Sequence, residues 1–117
     1  MHLEQATWTE IDAIDTTLVL FPVGSTEQHG PHAPLGTDTL NAETIADAAA
    51  ERYDGTVVVT PAVPVGVAEE HSQFTGILWT SLSTFKAYVR DIARSLAHHG
   101  FDRLVLVNGH GGNTVAL

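Results

Sequence analysis

Three short runs of strand-forming residues alternate with two segments of helical periodicity, and this alternation limits the fold more than any other feature of the chain. The runs are residues 17–23, 56–60 and 103–107, and the first is almost continuously apolar, as in a strand buried on both faces. Apolar side chains recur at helical spacing in residues 38–53 and 82–96. Strands that alternate with helices predict an α/β protein with a parallel sheet covered by helices on both faces.

Weaker signals predict the shorter elements. Residues 9–12 have the spacing of a capping box, which predicts a short helix over 9–14. Residues 77–80 are compatible with a short strand, and Gly100 stands where a helix C-terminal cap belongs. A further helix is expected to begin after Asn113.

Size and cysteine content restrict the class of protein. A chain of 117 residues suits one domain with its own core, and the lack of cysteine excludes a disulfide framework, a thiol nucleophile and a zinc site built on sulfur. The longest apolar run is far shorter than the roughly 20 residues of a membrane helix. The N-terminus lacks the basic and apolar regions of a signal peptide. We therefore predict a cytoplasmic protein with no membrane partner.

The charge balance argues against nucleic acid as a partner. There are 14 acidic and 5 basic side chains, giving a net charge of −9, so the chain cannot build the basic face that phosphates require. Lys86 is the only lysine. Such an acid excess fits a halophilic surface, on which counterions screen the repulsion between carboxylates. An ordinary acidic protein is the alternative.

Four potential metal ligands follow the ends of predicted strands. Glu27 and His29 lie two residues apart, so in extended backbone their side chains face the same side, and Asp38 stands at the mouth of the next helix. His110 follows the third strand. Taken singly, Asp38 is explained as a helix N-cap and His29 as a hydrogen-bonded loop residue. Because strand ends of a parallel sheet gather at one edge, the set predicts a Zn²⁺ or Mn²⁺ site.

A glycine-rich loop, residues 109–114, also follows the third strand. Its position matches a dinucleotide-binding loop, but Thr114 replaces the third glycine and the chain has no Walker lysine, so a nucleotide-binding module is a weak alternative. We predict instead that the loop presents His110 and lines a substrate or oxyanion site with backbone amides. The candidates for that contact are Gly109, Gly111, Gly112 and Asn113.

Six short motifs resemble, in order and spacing, those of the creatininase (creatinine amidohydrolase) family. They are Pro22–Ser25, Glu27–His32, Pro34–Asp38, Glu70–His71, Phe74–Gly76 and Asn108–Asn113. The resemblance implies a three-layer αβα fold with a mainly parallel sheet. It also implies that residues 1–117 are the N-terminal part of a single domain of this kind.

The resemblance further implies an activity and roles for particular residues. The expected reaction is hydrolysis of a non-peptide amide C–N bond in a small molecule, with two divalent ions, Zn²⁺ or Mn²⁺, bridged by a nucleophilic hydroxide. Glu27 and His110 would bind one ion, His29 the other, and Asp38 would bridge them. His71 and His32 would stand on the substrate side as acid–base candidates. A homo-oligomer, a hexamer in the family, is implied as well.

Two departures from the family pattern modify these expectations. Creatininases proper carry a carboxylate where this chain has Gly112, so the second ion lacks a ligand and the cavity beside Gly112 should have more room. We expect that room to favour a linear or bulkier amide over creatinine. The chain also ends about halfway through a typical member, before a motif that supplies further ligands and acid–base groups. We therefore expect these 117 residues alone to be catalytically weak.

Alternatives to a creatinine-like reaction remain open. Within the same family, a formamidopyrimidine deformylase or a peptidase that trims a cofactor peptide fits the same residues. From another class, the chain could be a non-catalytic domain that binds metal or oligomerises.

Overall fold

Three parallel strands and three α-helices make up the fold in the computed structural model, which describes all 117 residues. In chain order the elements are α1 (Trp8–Asp12), β1 (Leu18–Val23), α2 (Thr37–Arg52), β2 (Val58–Val59), α3 (Leu82–His98) and β3 (Arg103–Asn108). Single turns of 3₁₀ helix cover Leu3–Gln5, Glu69–His71 and Gly111–Asn113. The predicted alternation of strands and helices is confirmed. No helix is both long and apolar enough to cross a bilayer.

The strand order in the sheet is β2-β1-β3, and both pairings are parallel. The central strand β1 pairs with β3 over six residues, from Leu18 opposite Arg103 to Val23 opposite Asn108. Because β1 has a neighbour on each side and helices above and below, its residues from Val19 onward are buried. The almost continuous apolar run is therefore explained by burial on both faces.

Helices cover both faces of the sheet. On one face Phe21 of β1 packs with Phe85 and Val89 of α3, and on the other Leu20 packs with Ala46 of α2. Successive strand residues point to opposite faces, which sends these two neighbours into different layers. The three-layer αβα arrangement is thus confirmed.

The N-terminal helix differs from the prediction in its cap. The capping box joins Thr7 and Glu10: the Thr7 hydroxyl accepts from the Glu10 amide, and the Glu10 carboxylate accepts from the Thr7 amide. The prediction that Thr9 caps this helix is wrong, because the box requires a long acceptor three residues after the cap and Thr9 has only Asp12 there. The helix accordingly begins at Trp8.

Three of the shorter predicted elements are shorter than expected or absent. The strand over 56–60 is reduced to two residues, and residues 77–80 form a single antiparallel bridge between Leu78 and Thr26. Beyond Asn113 the chain makes turns in place of a helix. By contrast, Gly100 has φ +93°, the left-handed conformation of a helix C-terminal cap.

The ends of β1 and β3 and the start of α2 meet at one edge of the sheet. Gly109, just after β3, donates its amide to the carbonyl of Val23 at 2.8 Å. A Cβ at Gly109 would collide with the backbone carbonyl of Asp38 in the first turn of α2. Glycine at this position therefore lets the two chain segments approach closely enough for their side chains to share one site.

Candidate metal centre

The four predicted metal ligands lie together at this edge of the sheet. Glu27 and His29 come from the loop after β1, Asp38 from the first turn of α2, and His110 from the loop after β3. Nδ1 of His110 lies 3.0 Å from Oε1 of Glu27 and 2.9 Å from Oδ2 of Asp38, and Nε2 of His29 lies 2.9 Å from Oδ1 of Asp38. Two carboxylates and two imidazoles thus form one cluster.

The Asp38 carboxylate stands between the two histidines, with one oxygen directed to each. Gly36 occupies the N-cap position of α2, and no side chain caps the helix there. The simpler explanation of Asp38 as an N-cap residue is therefore wrong, since its side chain is turned toward the cluster. This geometry suits a carboxylate that bridges two sites.

Backbone carbonyls fix the protonation of both histidine rings. Nδ1 of His29 lies 3.1 Å from the carbonyl oxygen of Glu27, and Nε2 of His110 lies 2.9 Å from the carbonyl oxygen of Val67. A carbonyl only accepts hydrogen bonds, so the ring nitrogen facing it carries the proton. The other two ring nitrogens, Nε2 of His29 and Nδ1 of His110, face the carboxylates and are the atoms that a metal would take as ligands.

The two carboxylates of the cluster are almost completely buried. The side chains of Glu27 and Asp38 are only 9% and 10% exposed, and one oxygen of each, Oε2 of Glu27 and Oδ2 of Asp38, accepts no hydrogen bond. Burial raises the pKa of the Glu27 carboxyl, and its contact with Asp38 raises it further, against the opposing effect of His110. A cation held between these oxygens would offset this repulsion. The donor set of oxygen and imidazole nitrogen fits Zn²⁺ or Mn²⁺.

The pKa of the His29 imidazole is raised as well. Its burial alone would lower the pKa of the imidazole, but the hydrogen bond to the Glu27 carbonyl and the charge of Asp38 outweigh that effect, and the pKa lies above its ordinary value. Negative potential therefore dominates this side of the cluster as well.

Glu70 is a further potential ligand that the sequence did not single out as one. Ligand atoms of Glu27, His29 and Asp38 converge within 4.8 Å of one another, and so do those of Glu27, Glu70 and His110. Glu70 is exposed on the 3₁₀ turn Glu69–His71. Its only sequence signal was its place in the Glu70–His71 motif.

The structure separates the two histidines that were expected beside the substrate. Nε2 of His71 lies 3.7 Å from Oε2 of Glu27, and the ring is 35% exposed, so His71 borders the cluster. His32 is exposed and forms no hydrogen bond or ion pair within the chain. Of this pair, only His71 is brought to the candidate site.

The glycine-rich loop contributes fewer free amides than expected. The amide of Gly109 donates to the Val23 carbonyl and is not available to a substrate. Gly111 and Gly112 donate no hydrogen bond within the chain, and their amides stay available.

Asn113 is part of the interior of the chain. Its side chain is fully buried, accepts from the Val67 amide at 3.0 Å and donates to the Gly24 carbonyl at 3.0 Å. It also donates to the side chain of Asn108 at 3.3 Å. Asn113 thus ties together the segments that surround the cluster, and its contact with substrate stays a prediction.

The room expected beside Gly112 is already filled. A Cβ at Gly112 would lie 2.5 Å from Nε2 of His110 and 2.5 Å from the carbonyl oxygen of Val67. The expectation of a larger cavity is wrong because the His110 ring and the Val67 backbone occupy that space.

Comparison with known proteins decides the family. A family model described as creatinine amidohydrolase, named Creatininase, matches residues 4–117. The chain belongs to the creatininase family. It spans less than half the length of the curated relatives described below.

The relatives of this creatininase-family chain carry different hydrolase names. It is 43% identical over 104 residues to a mycofactocin precursor peptide peptidase of Mycolicibacterium smegmatis, covering 86% of this chain and 42% of that protein. It is 33% identical over 119 residues to the creatinine amidohydrolase of Pseudomonas putida, covering 95% and 45%. It is also 33% identical over 94 residues to a 3-dehydro-scyllo-inosose hydrolase of Thermotoga maritima, covering 80% and 30%.

Solved creatininase structures share the fold. A structure titled as creatinine amidohydrolase (creatininase) superposes with a TM-score of 0.88 at 32% identity, covering 98% of this chain and 47% of the other. A manganese creatininase gives a TM-score of 0.89 at 31% identity with the same coverage. A mutant creatininase of Zn-Zn type gives 0.84 at 31% identity, again with that coverage.

Proposed function

We propose that the chain forms part of a metal-dependent hydrolase that cleaves an amide C–N bond. Glu27 and His110 would hold one divalent ion and His29 a second, with Asp38 placed to contact both. The observation that carries this proposal is the Asp38 carboxylate, with Oδ1 2.9 Å from Nε2 of His29 and Oδ2 2.9 Å from Nδ1 of His110. Zn²⁺ and Mn²⁺ are the ions that match these donors.

When bound, such ions supply Lewis acidity toward a substrate carbonyl and lower the pKa of water. The protein's own residues set the conditions for that chemistry. The buried carboxylates of Glu27 and Asp38 hold negative charge in a region of low dielectric, which strengthens their attraction for cations. The carbonyls behind His29 and His110 keep the two rings in the ligand tautomer.

His71 is the proposed proton carrier on the open side of the cluster. Its ring is partly exposed and its Nε2 lies 3.7 Å from the Glu27 carboxylate, so the ring is in contact with both solvent and the site. An imidazole in such a position can serve as a general acid or base. Gly111 and Gly112 offer two free amides near His110 that can donate to a developing negative charge.

A peptide-derived amide is the favoured substrate class. Identity to the mycofactocin precursor peptide peptidase is 43%, against 33% to the creatinine amidohydrolase. This difference in identity supports the expectation that creatinine is a poor substrate. The space beside Gly112 does not support it, because that space is filled. A formamidopyrimidine is the alternative small amide.

Hydrolysis assays test the proposal on a metal-loaded full-length protein that contains these 117 residues, because the residues alone are expected to be catalytically weak. We expect kcat/KM to be highest for a short peptide and lowest for creatinine, with a formamidopyrimidine as the third substrate. A His110→Ala variant should lose the activity, and Asn41→Ala, an exposed change on α2, should retain it. If the protein holds metal but cleaves none of the three amides, the hydrolase proposal is wrong and the non-catalytic metal-binding alternative is favoured.

A further inference from the structure

An exposed aromatic ring borders the candidate metal centre. Phe74 keeps 45% of its surface exposed, and its ring centroid lies 6.5 Å from that of His71. This separation is within the range of about 4.5–7 Å at which aromatic side chains interact. Nε2 of His71 in turn lies 3.7 Å from the Glu27 carboxylate. Only one side chain therefore stands between the Phe74 ring and the candidate ligands.

Backbone hydrogen bonds hold Phe74 in this position. Its amide donates to the His71 carbonyl at 3.1 Å, and its carbonyl accepts from the amide of the buried Ile77 at 3.4 Å. Gly76 lies between these bonds and has φ +97°, a conformation that residues with a side chain rarely adopt. The segment that carries the ring is therefore a hydrogen-bonded turn with a defined course.

A second exposed apolar side chain lies against the same turn. A Cβ at Gly76 would lie 2.7 Å from Cδ1 of Leu35, so the Leu35 side chain is packed on this glycine. Leu35 is 37% exposed, and its carbonyl accepts from the Glu27 amide at 2.9 Å. Phe74 and Leu35 thus belong to the two loops that meet at the candidate site, and both leave apolar surface uncovered.

This arrangement suits a substrate with a side chain beside the reacting bond. Ligand sites commonly combine a few polar groups, which act on or orient the ligand, with apolar side chains that hold the rest of it. A peptide-derived substrate has a side chain next to the amide that is cleaved, because neighbouring Cα atoms are only about 3.8 Å apart. With that amide at the candidate ligands, the side chain reaches the region of His71 and Phe74. An apolar side chain gains there by leaving water.

The surrounding charge disfavours other kinds of side chain. Glu69 and Glu70 are exposed on the 3₁₀ turn that ends at His71, so an acidic side chain beside Phe74 is repelled. A basic side chain has to give up water against the apolar surface of Leu35. An uncharged apolar side chain meets neither cost.

We propose that Phe74 is a specificity-determining residue: it binds the apolar side chain next to the cleaved amide, and an aromatic one most tightly. This inference rests on the function proposed above and narrows its substrate class to peptide-derived amides with an apolar residue beside the cleaved bond. Leu35 completes the apolar surface. Because Phe74 offers no ligand atom, its replacement leaves metal binding unchanged.

Peptides that differ in one side chain test the proposal on the metal-loaded full-length protein. Phenylalanine, alanine, lysine or glutamate is placed next to the cleaved bond, on its carbonyl side in one series and on its nitrogen side in another. In one of the two series we expect the wild type to cleave the phenylalanine peptide with a kcat/KM at least about 10-fold above that for the alanine peptide, mainly through KM.

Three variants locate the origin of this preference. Phe74→Ala should lose it while it keeps the wild-type kcat/KM for the alanine peptide, and Phe74→Leu should retain part of it. Gln73→Ala, at the exposed position next in the chain, is the matched control and should behave as the wild type. Elemental analysis and analytical ultracentrifugation should give the same metal content and the same sedimentation coefficient for all four proteins.

The outcomes separate this inference from the proposed function. A wild type that holds metal but cleaves none of the peptides contradicts the hydrolase proposal itself. A wild type that cleaves them without preferring phenylalanine in either series, or that prefers lysine or glutamate, overturns the role of Phe74 alone. The same holds if Phe74→Ala keeps the preference. If Phe74→Ala changes the sedimentation coefficient, the ring is a contact between copies of the chain and the proposal is wrong.

Discussion

Replacing Asn113 by alanine should destabilise the fold because this side chain joins three separate segments. The change leaves the Val67 amide and the Gly24 carbonyl, each bonded at 3.0 Å in the wild type, without partners. An orphaned buried polar group costs about 1–3 kcal/mol, so the two together cost about 2–6 kcal/mol. The lower half of that range applies because Val67 is only partly buried. Even this is a large part of a typical stability of about 5–15 kcal/mol.

Urea denaturation followed by circular dichroism measures the change. Asn41→Ala is the control, because Asn41 is exposed on α2 and alanine has the higher helix propensity, which predicts a small gain of at most about 0.7 kcal/mol. If Asn113→Ala unfolds at the same urea concentration as the wild type while amide hydrolysis is lost, Asn113 contacts substrate and the structural role assigned to it is wrong.

Three further predictions concern charge. The hydrogen bonds from Thr7 lower the pKa of Glu10 below its ordinary 4.5, so its stabilising effect is full above that value and is lost as pH falls through the folded-state pKa. Glu10→Gln should therefore melt below the wild type at neutral pH and at the same temperature in strong acid; a constant difference would contradict this. Glu70→Gln should weaken zinc binding in a chelator competition while Glu69→Gln, on the same turn, should not; equal affinities would remove Glu70 from the site. With a net charge of −9, the melting temperature should rise from dilute buffer to molar KCl, and a flat response would exclude a halophilic surface.

The layered fold followed from the sequence because burial on both faces leaves an unambiguous pattern. The run over β1 is apolar at nearly every position, and the apolar spacing of α3 matches one helix face. The cap of α1 was misplaced because Thr7 and Thr9 both have an acidic residue three positions later, and only the longer Glu10 side chain reaches back to the cap.

The sequence predicted the four candidate ligands of the site, but not the backbone contacts that hold them in place. Glu27, His29, Asp38 and His110 stand at the ends of elements, and the parallel topology brings such positions together. The contact between His110 and Val67 joins residues 43 positions apart through a backbone carbonyl, which leaves no trace in the identity of Val67. For the same reason Gly112 suggested open space, although a distant segment fills it.

Zinc titration of the metal-stripped chain by isothermal calorimetry, with wild type and Asp38→Asn compared, tests the central claim most directly. Asp38 shares its two oxygens between His29 and His110 at 2.9 Å each, so the loss of its charge affects both halves of the cluster. We predict two bound ions per wild-type chain and a marked loss of affinity for both in Asp38→Asn. A wild type that takes up no zinc, or an Asp38→Asn variant that binds it as the wild type does, would contradict the account.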